Sequence, residues 1–189
     1  LWMSMPDDEL RALADAGNVT INGGSFNLAT FSDTVAVVSL QNGSITGTTG
    51  VLTSTADYDL RDGSISAILA GSVGLNKTTT GTVTLSGANL FSGAVSVAEG
   101  TLFFSGGNNL GNASVTNTIT VNGGTLSYTA SGNVDLGANR VLTVGASGAT
   151  LNASDSLGTV VYSGGVAPAS SGNLTKTGAG TVVLGGTAD

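Results

Sequence analysis

The densest group of side chains able to do chemistry is Asp57-Tyr58-Asp59-Leu60-Arg61-Asp62. Carboxylates beside a basic residue, often with calcium, are what an enzyme that cuts acidic polysaccharides needs. In a strand, Asp57 and Asp59 point the same way. Calcium takes six to eight oxygens, more than two carboxylates supply. A glycosidase pair needs two carboxyl groups facing one bond, and no second acidic cluster is evident. The segment therefore reads as a solvated strand edge in which Arg61 forms an ion pair. Asp57, Asp59, Arg61 and Asp62 stay as the candidate site of a rival reading, a carbohydrate-active lyase or hydrolase.

Other chemistry is scarcer still. Histidine and cysteine are absent, which removes the usual general base near neutral pH, disulfides and thiolate metal sites. No catalytic, cofactor-binding or metal-ligating set is assigned, and no cofactor is expected. The net charge of −7 with five basic residues argues against nucleic acid, whose binding rests on clustered Lys and Arg. Ser105-Gly106-Gly107-Asn108-Asn109 lacks the Lys-Ser/Thr ending of a phosphate loop and reads as a corner or a small excursion. A flat β-face with regular threonine rows can bind ice. Thr78, Thr80, Thr82 and Thr84 alternate, as do Thr116, Thr118 and Thr120. They do not recur coil after coil in the sequence, so they read as ordinary β-branched strand residues. Phe103 should face away from Leu102 and Phe104 and pack under a neighbouring loop.

The elements that position these residues follow from a repeated kernel. It consists of two alternating apolar residues, a polar residue, Gly, a small residue and another apolar residue. Clear copies are Val19–Phe26, Val38–Ile45, Tyr58–Ile65, Val95–Leu102 and Ile119–Leu126, with looser ones at Leu142–Leu151 and Val160–Val166. Apolar residues two apart share a strand face, and Gly after Asn or Asp permits a sharp corner. The kernels end at glycines 24, 43, 63, 100, 124 and 148, with gaps of 19, 20, 37, 24 and 24. The gap of 37 is close to two periods. One coil of a β-solenoid per roughly 20 residues fits this spacing, and some eight rungs at about 4.8 Å would make a rod on the order of 40 Å long. Constant kernel order favours parallel stacking over antiparallel barrels or sandwiches, with ladders of like polar side chains between rungs.

Before the solenoid, Ser4–Gly17 has the marks of a helix. Ser4 caps it, Pro6 sits in the first turn, and Asp7, Asp8 and Glu9 meet its positive end. The chain thus divides into residues 1–17, a helical cap or linker, and residues 18–189, a solenoid that stops inside a repeat. No apolar run approaches the roughly 20 residues that cross a bilayer.

The central stretch Leu75–Phe104 carries a second signal. Leu75, Lys77, Thr78, Gly81, Thr82, Val83, Leu85 and Gly87 return 99 residues later as Leu174, Lys176, Thr177, Gly180, Thr181, Val182, Leu184 and Gly186. These two segments resemble the autotransporter-associated β-strand repeat, also called the passenger-associated transport repeat. The resemblance implies a right-handed parallel β-helix in a large secreted or surface-attached bacterial protein, many of which are adhesins or surface fibres. The family's C-terminal membrane barrel is not in this sequence. Some of its passengers resemble serine proteases, and a chain without histidine cannot hold their triad. The expected function is a stalk, adhesin or extracellular fibre segment. Surface glycans or proteins are the expected partners, with self-association through the end rungs.

Overall fold

The computed structural model describes residues 17–186. The helix expected over Ser4–Gly17 lies outside these residues except for Gly17. Among the described residues, the strands form a three-faced parallel β-solenoid of about eight turns. Every pairing between these strands is parallel, as the constant kernel order requires.

The two halves of the kernel make two faces. Face one stacks the first half of Asn18–Asn27, that of Val37–Thr46, then Tyr58–Leu60, Leu75–Lys77, Val95–Val97, Ile119–Val121 and Leu142–Val144. Face two stacks the second halves of the two long strands, then Gly63–Ile65, Thr82–Leu85, Thr101–Phe104, Thr125–Tyr128, Ala149–Ala153 and Leu174–Thr177. The gap of 37 residues is filled by the rung of Leu75–Lys77 and Thr82–Leu85. Face three consists of Asp33–Val35, Val51–Ser54 and Ile68–Ala70, then Asn133–Asp135, Thr159–Tyr162 and Thr181–Leu184. Between these two groups the chain replaces strands with an irregular segment at Leu90 and Phe91, whose N–H groups donate to the Leu69 carbonyl, and a 3-10 turn, Gly107–Leu110.

Period-two alternation sends one side of every strand inward. On face one, Ile21, Leu40, Leu60, Lys77, Val97, Val121 and Val144 form one inner column. On face two, Val83, Leu102, Leu126, Leu151 and Lys176 form another. Each buried Val, Leu or Ile contributes about 1.5–3 kcal/mol, so these columns are the main source of stability. Tyr58 crosses the core from face one. Its hydroxyl lies 2.7 Å from the carbonyl oxygens of Leu52 and Ala70 and accepts from the Ala70 N–H at 3.1 Å.

Two readings of the repeats are corrected by the register. Val160–Tyr162 belongs to face three, while Val166 bridges to Leu142 on face one, so the loose kernel at Val160–Val166 is not a two-face kernel. The second copy of the 99-residue repeat is also out of phase with the first. Leu75–Lys77 lies on face one and Thr82–Leu85 on face two. Leu174–Thr177 lies on face two and Thr181–Leu184 on face three. The motif specifies a strand, a turn and a strand. Which face it occupies depends on how much chain the preceding coils have used, and coils near residues 111–141 carry longer corners.

The corners stack as closely as the strands. A Cβ on Gly63 would lie 2.1 Å from the Gly43 carbonyl oxygen, and one on Gly43 would lie 2.4 Å from that of Gly24. Gly63 also has a φ of +121°, where L side chains are strained. Gly63→Ala is expected to destabilise the fold by about 1–3 kcal/mol or more. Gly132, whose added Cβ would meet nothing within 4 Å, should tolerate Ala within about 0.5 kcal/mol. Urea denaturation of the two variants checks the contrast.

Candidate functional site

Tyr58–Leu60 places the acidic cluster on the outside of face one. Asp59 stands in the outer column Thr20, Ser39, Asp59, Asn76, Ser96, Thr120 and Thr143. Its Oδ2 accepts from Ser39 Oγ at 3.0 Å and from Arg61 Nε at 2.9 Å. Arg61 Nη2 lies 2.9 Å from the same oxygen, which is the ion pair expected of Arg61. With side chains 46% and 29% exposed, the pair is worth about 0–1 kcal/mol.

Asp57 uses both oxygens on the rung above. Oδ1 accepts from the Gly74 N–H at 2.7 Å and Oδ2 from Asn76 Nδ2 at 3.3 Å. Asp62 sits apart at the corner, with its Oδ2 2.8 Å from where a Gly81 Cβ would be. The structure thus pairs Asp59 with Arg61 and ties Asp59 to Ser39 on one neighbouring rung, ties Asp57 separately to Gly74 and Asn76 on the other, and leaves Asp62 outside both. No group of three or more acidic side chains able to hold a metal occurs among the described residues.

Other outward polar groups do the same work. Ser86, Thr129 and Ser154 each donate a hydroxyl to a carbonyl of a neighbouring rung, those of Ile65, Phe104 and Tyr128, at 3.2–3.3 Å. Asp135 accepts from Ser163 Oγ at 2.6–2.7 Å and from the Gly137 N–H at 2.9 Å. Those bonds hold its carboxyl below the usual carboxylate range. Asn89 and Asn109 are buried at the corner between faces two and three. Asn89 Nδ2 donates to the Asn109 carbonyl at 2.6 Å, and Asn109 Nδ2 to the Gly87 carbonyl at 3.0 Å. Such bonds add about 0.5–1.5 kcal/mol each.

One outer column is an exception and corrects the sequence reading of the threonines. Thr82, Thr101, Thr125, Thr150 and Thr175 stack on five successive rungs of face two without a register shift. Threonine does recur coil after coil there. The signal was present as a small or apolar residue followed by Thr at the start of each face-two strand, but unequal coil lengths concealed it. Beside this row, Phe103 faces outward between Thr84 and Ser127, half-buried. It faces away from Leu102 and Phe104 as expected.

The two buried cations were not foreseen. Lys77 lies fully buried between Leu60 and Val97. Its Nζ donates to the Thr79 carbonyl and to Thr79 Oγ1. Burial pulls the amine below its usual range, and the charges of Asp62 and Glu99 push it back up. Alternation with Leu75 is the signal that places it inside. Arg140 is 2% exposed and has neutral partners. Nε donates to Asn117 Oδ1 at 2.8 Å, Nη1 to the Leu136 carbonyl at 3.1 Å and Nη2 to the Gly111 carbonyl at 2.8 Å. Burial pulls its guanidinium down to about 10. It pins together the two long corners at residues 111–117 and 136–140, where no kernel spacing marks it.

These buried groups set the alkaline behaviour. Burial pushes Tyr58 and Tyr162 above the usual phenol range. Above about pH 10 the unfolded chain loses those protons while the folded chain keeps them, so stability falls as pH rises. Lys77 acts oppositely. Its folded pKa lies below the unfolded value, so its contribution grows as pH rises toward about 10.4, and Arg140, held down to about 10, likewise offsets part of the tyrosine fall above that pH. Thermal melts from pH 7 to 11 should show the fall above pH 10, made shallower by Tyr162→Phe. Lys77→Met should remove the rise that precedes it.

No protein-family model, curated protein or solved structure matches this chain.

Proposed function

We propose that this chain is a structural or adhesive segment of a secreted or cell-surface bacterial β-helical protein, acting as part of a stalk, adhesin or extracellular fibre. The parent would belong with the autotransporter-type passengers that the Leu75–Gly87 and Leu174–Gly186 segments resemble, with their right-handed coil. The mechanism is mechanical and spatial. A continuous stack of hydrogen-bonded rungs holds distance from the cell, and its lateral faces make weak, repeated contacts with surface glycans or proteins.

The observation that carries this reading is the row Thr82, Thr101, Thr125, Thr150 and Thr175. It offers one methyl and one hydroxyl per rung, at a spacing of about 4.8 Å, on a strip without charge. A periodic neutral strip suits a periodic neutral ligand, each contact weak and the sum useful through multivalency. By contrast, both carboxylate oxygens of Asp57 and one of Asp59 are already hydrogen-bonded to Gly74, Asn76, Ser39 and Arg61, which argues against the polysaccharide-cleaving alternative.

The test is retention of beads carrying the full chain on glycan-coated and cell-matrix surfaces. The triple variant Thr101→Val, Thr125→Val and Thr150→Val keeps side-chain shape and β-propensity while removing the hydroxyls. Its retention is expected to fall with stability nearly unchanged. Retention that ignores the substitution, or turnover of a polysaccharide by the purified chain, would contradict the proposal.

A further inference from the structure

The kernel has nearly the same spelling at two places. Val19-Thr20-Ile21-Asn22-Gly23-Gly24-Ser25-Phe26 and Ile119-Thr120-Val121-Asn122-Gly123-Gly124-Thr125-Leu126 share the corner Asn-Gly-Gly. Asn-Gly is a reactive pair. The glycine nitrogen can attack the asparagine side-chain amide, and no Cβ on the glycine obstructs the approach. Asn22 and Asn122 are both exposed, so access to water does not separate them. Their surroundings do.

At Asn122 both reacting groups are held. Its Oδ1 accepts from the Ser147 N–H at 2.9 Å. The attacking nitrogen, that of Gly123, donates its N–H to the Gly148 carbonyl at 2.6 Å. A Cβ on Gly145 would lie 2.4 Å from Asn122 Cγ, so the side chain packs directly over that glycine. Gly124 is held as closely, since a Cβ there would lie 2.6 Å from Val97 Cγ1.

Asn22 lies in a looser corner. It pairs with Asn42 between two register shifts, and Gly23 and Gly24 together oppose the single residue Gly43. That arrangement is a β-bulge, whose extra residue has no partner in the ladder. An added Cβ at Gly23 or Gly24 meets no atom within 4 Å among the described residues. The looseness comes from this mismatch in length with Val37–Thr46. Asn42 is also followed by glycine, but Gly43 is stacked between Gly24 and Gly63.

We propose that Asn22 is a site of spontaneous deamidation, which proceeds in the folded rod while the same corner at Asn122 is protected. The Gly23 nitrogen gives its proton to water or hydroxide and bonds to Asn22 Cγ. The bond from Cγ to Nδ2 breaks, and ammonia leaves with a proton from solvent. The resulting succinimide takes up water at either carbonyl. Opening at the side-chain carbonyl gives aspartate, and opening at the main-chain carbonyl gives isoaspartate. One water is consumed and one ammonia released, with no change of oxidation state. The bulge leaves space for the extra backbone carbon of isoaspartate. The rod thereby gains a negative charge with time at one corner, two rungs from Asp62.

The test ages the purified full chain at mildly alkaline pH and follows ammonia release together with tandem mass spectrometry of its peptides. Asn22 is expected to convert first, to aspartate and isoaspartate. Asn122 should lag by about tenfold, because the Gly123 N–H bond must be given up before attack. Asn42 should also lag behind Asn22. In urea, where the corners are lost, the two Asn-Gly-Gly sequences should convert at nearly equal rates. Asn22→Gln should remove the early ammonia, with the circular dichroism of the rod retained. Conversion of Asn42 or Asn122 before Asn22 in the folded rod would overturn the proposal. Equal rates in the folded rod, or a difference that persists unchanged in urea, would overturn it as well.

Discussion

The rest of the structure depends on one spacing. Parallel rungs hydrogen-bonded to one another lie about 4.8 Å apart, and this holds at corners as well as along strands. Every side chain therefore has neighbours at the same position above and below. Apolar residues gain from this, because columns such as Ile21, Leu40 and Leu60 pack continuously. Charges lose, because a column of like charges repels at close range. The low charged fraction of 9% follows from the architecture. Corners lose most, since a Cβ at Gly63 has the carbonyl of the next rung in its place.

The same spacing explains why the chain is poor in free chemistry. An outward polar group two rungs from its equivalent finds a carbonyl or side chain of the next rung within reach, and it bonds there. Asp57, Asp59, Ser86, Thr129 and Ser154 are used in this way. The interior tolerates cations only where carbonyls are unspent. Lys77 reaches the turn at Thr79, and Arg140 the carbonyls of Gly111 and Leu136 together with the Asn117 side chain. Threonines at the start of face-two strands escape this use. They lead each strand rather than end it, so their hydroxyls form the regular strip on which the proposed contacts rest.

The sequence made the solenoid legible because its kernels carry both parts of the rule, period-two burial and a glycine corner. Tyr58–Ile65 and Ile119–Leu126 were readable as successive strands of two faces without further information. The Arg61 ion pair was also legible, from the acidic residues that flank it, although its partner, Asp59, was not singled out. Phase was not legible. The 99-residue repeat matches residue for residue, yet Leu75 and Leu174 sit on different faces. Face assignment accumulates over all the intervening corners, and those between Gly111 and Val141 have no regular length. The threonine row was missed for the same reason, and Arg140 because its partners come from two such corners. Lys77 was missed through its charge, although alternation with Leu75 places it inward.

The central claim is that stacking, rather than the local motif, decides where a strand lies. Disulfide trapping in this cysteine-free chain tests it most directly. Paired outward neighbours on adjacent strands fall within the 4.4–6.8 Å Cα separation that a disulfide spans. Asn152 and Thr177 are such a pair. Thr143 would sit under Thr175 only if the second motif copy occupied the same face as Asn76 in the first. Mild oxidation of the Asn152→Cys/Thr177→Cys variant should close the bond readily, while Thr143→Cys/Thr175→Cys should stay reduced. The reverse outcome would place Leu174–Thr177 on face one and contradict the account.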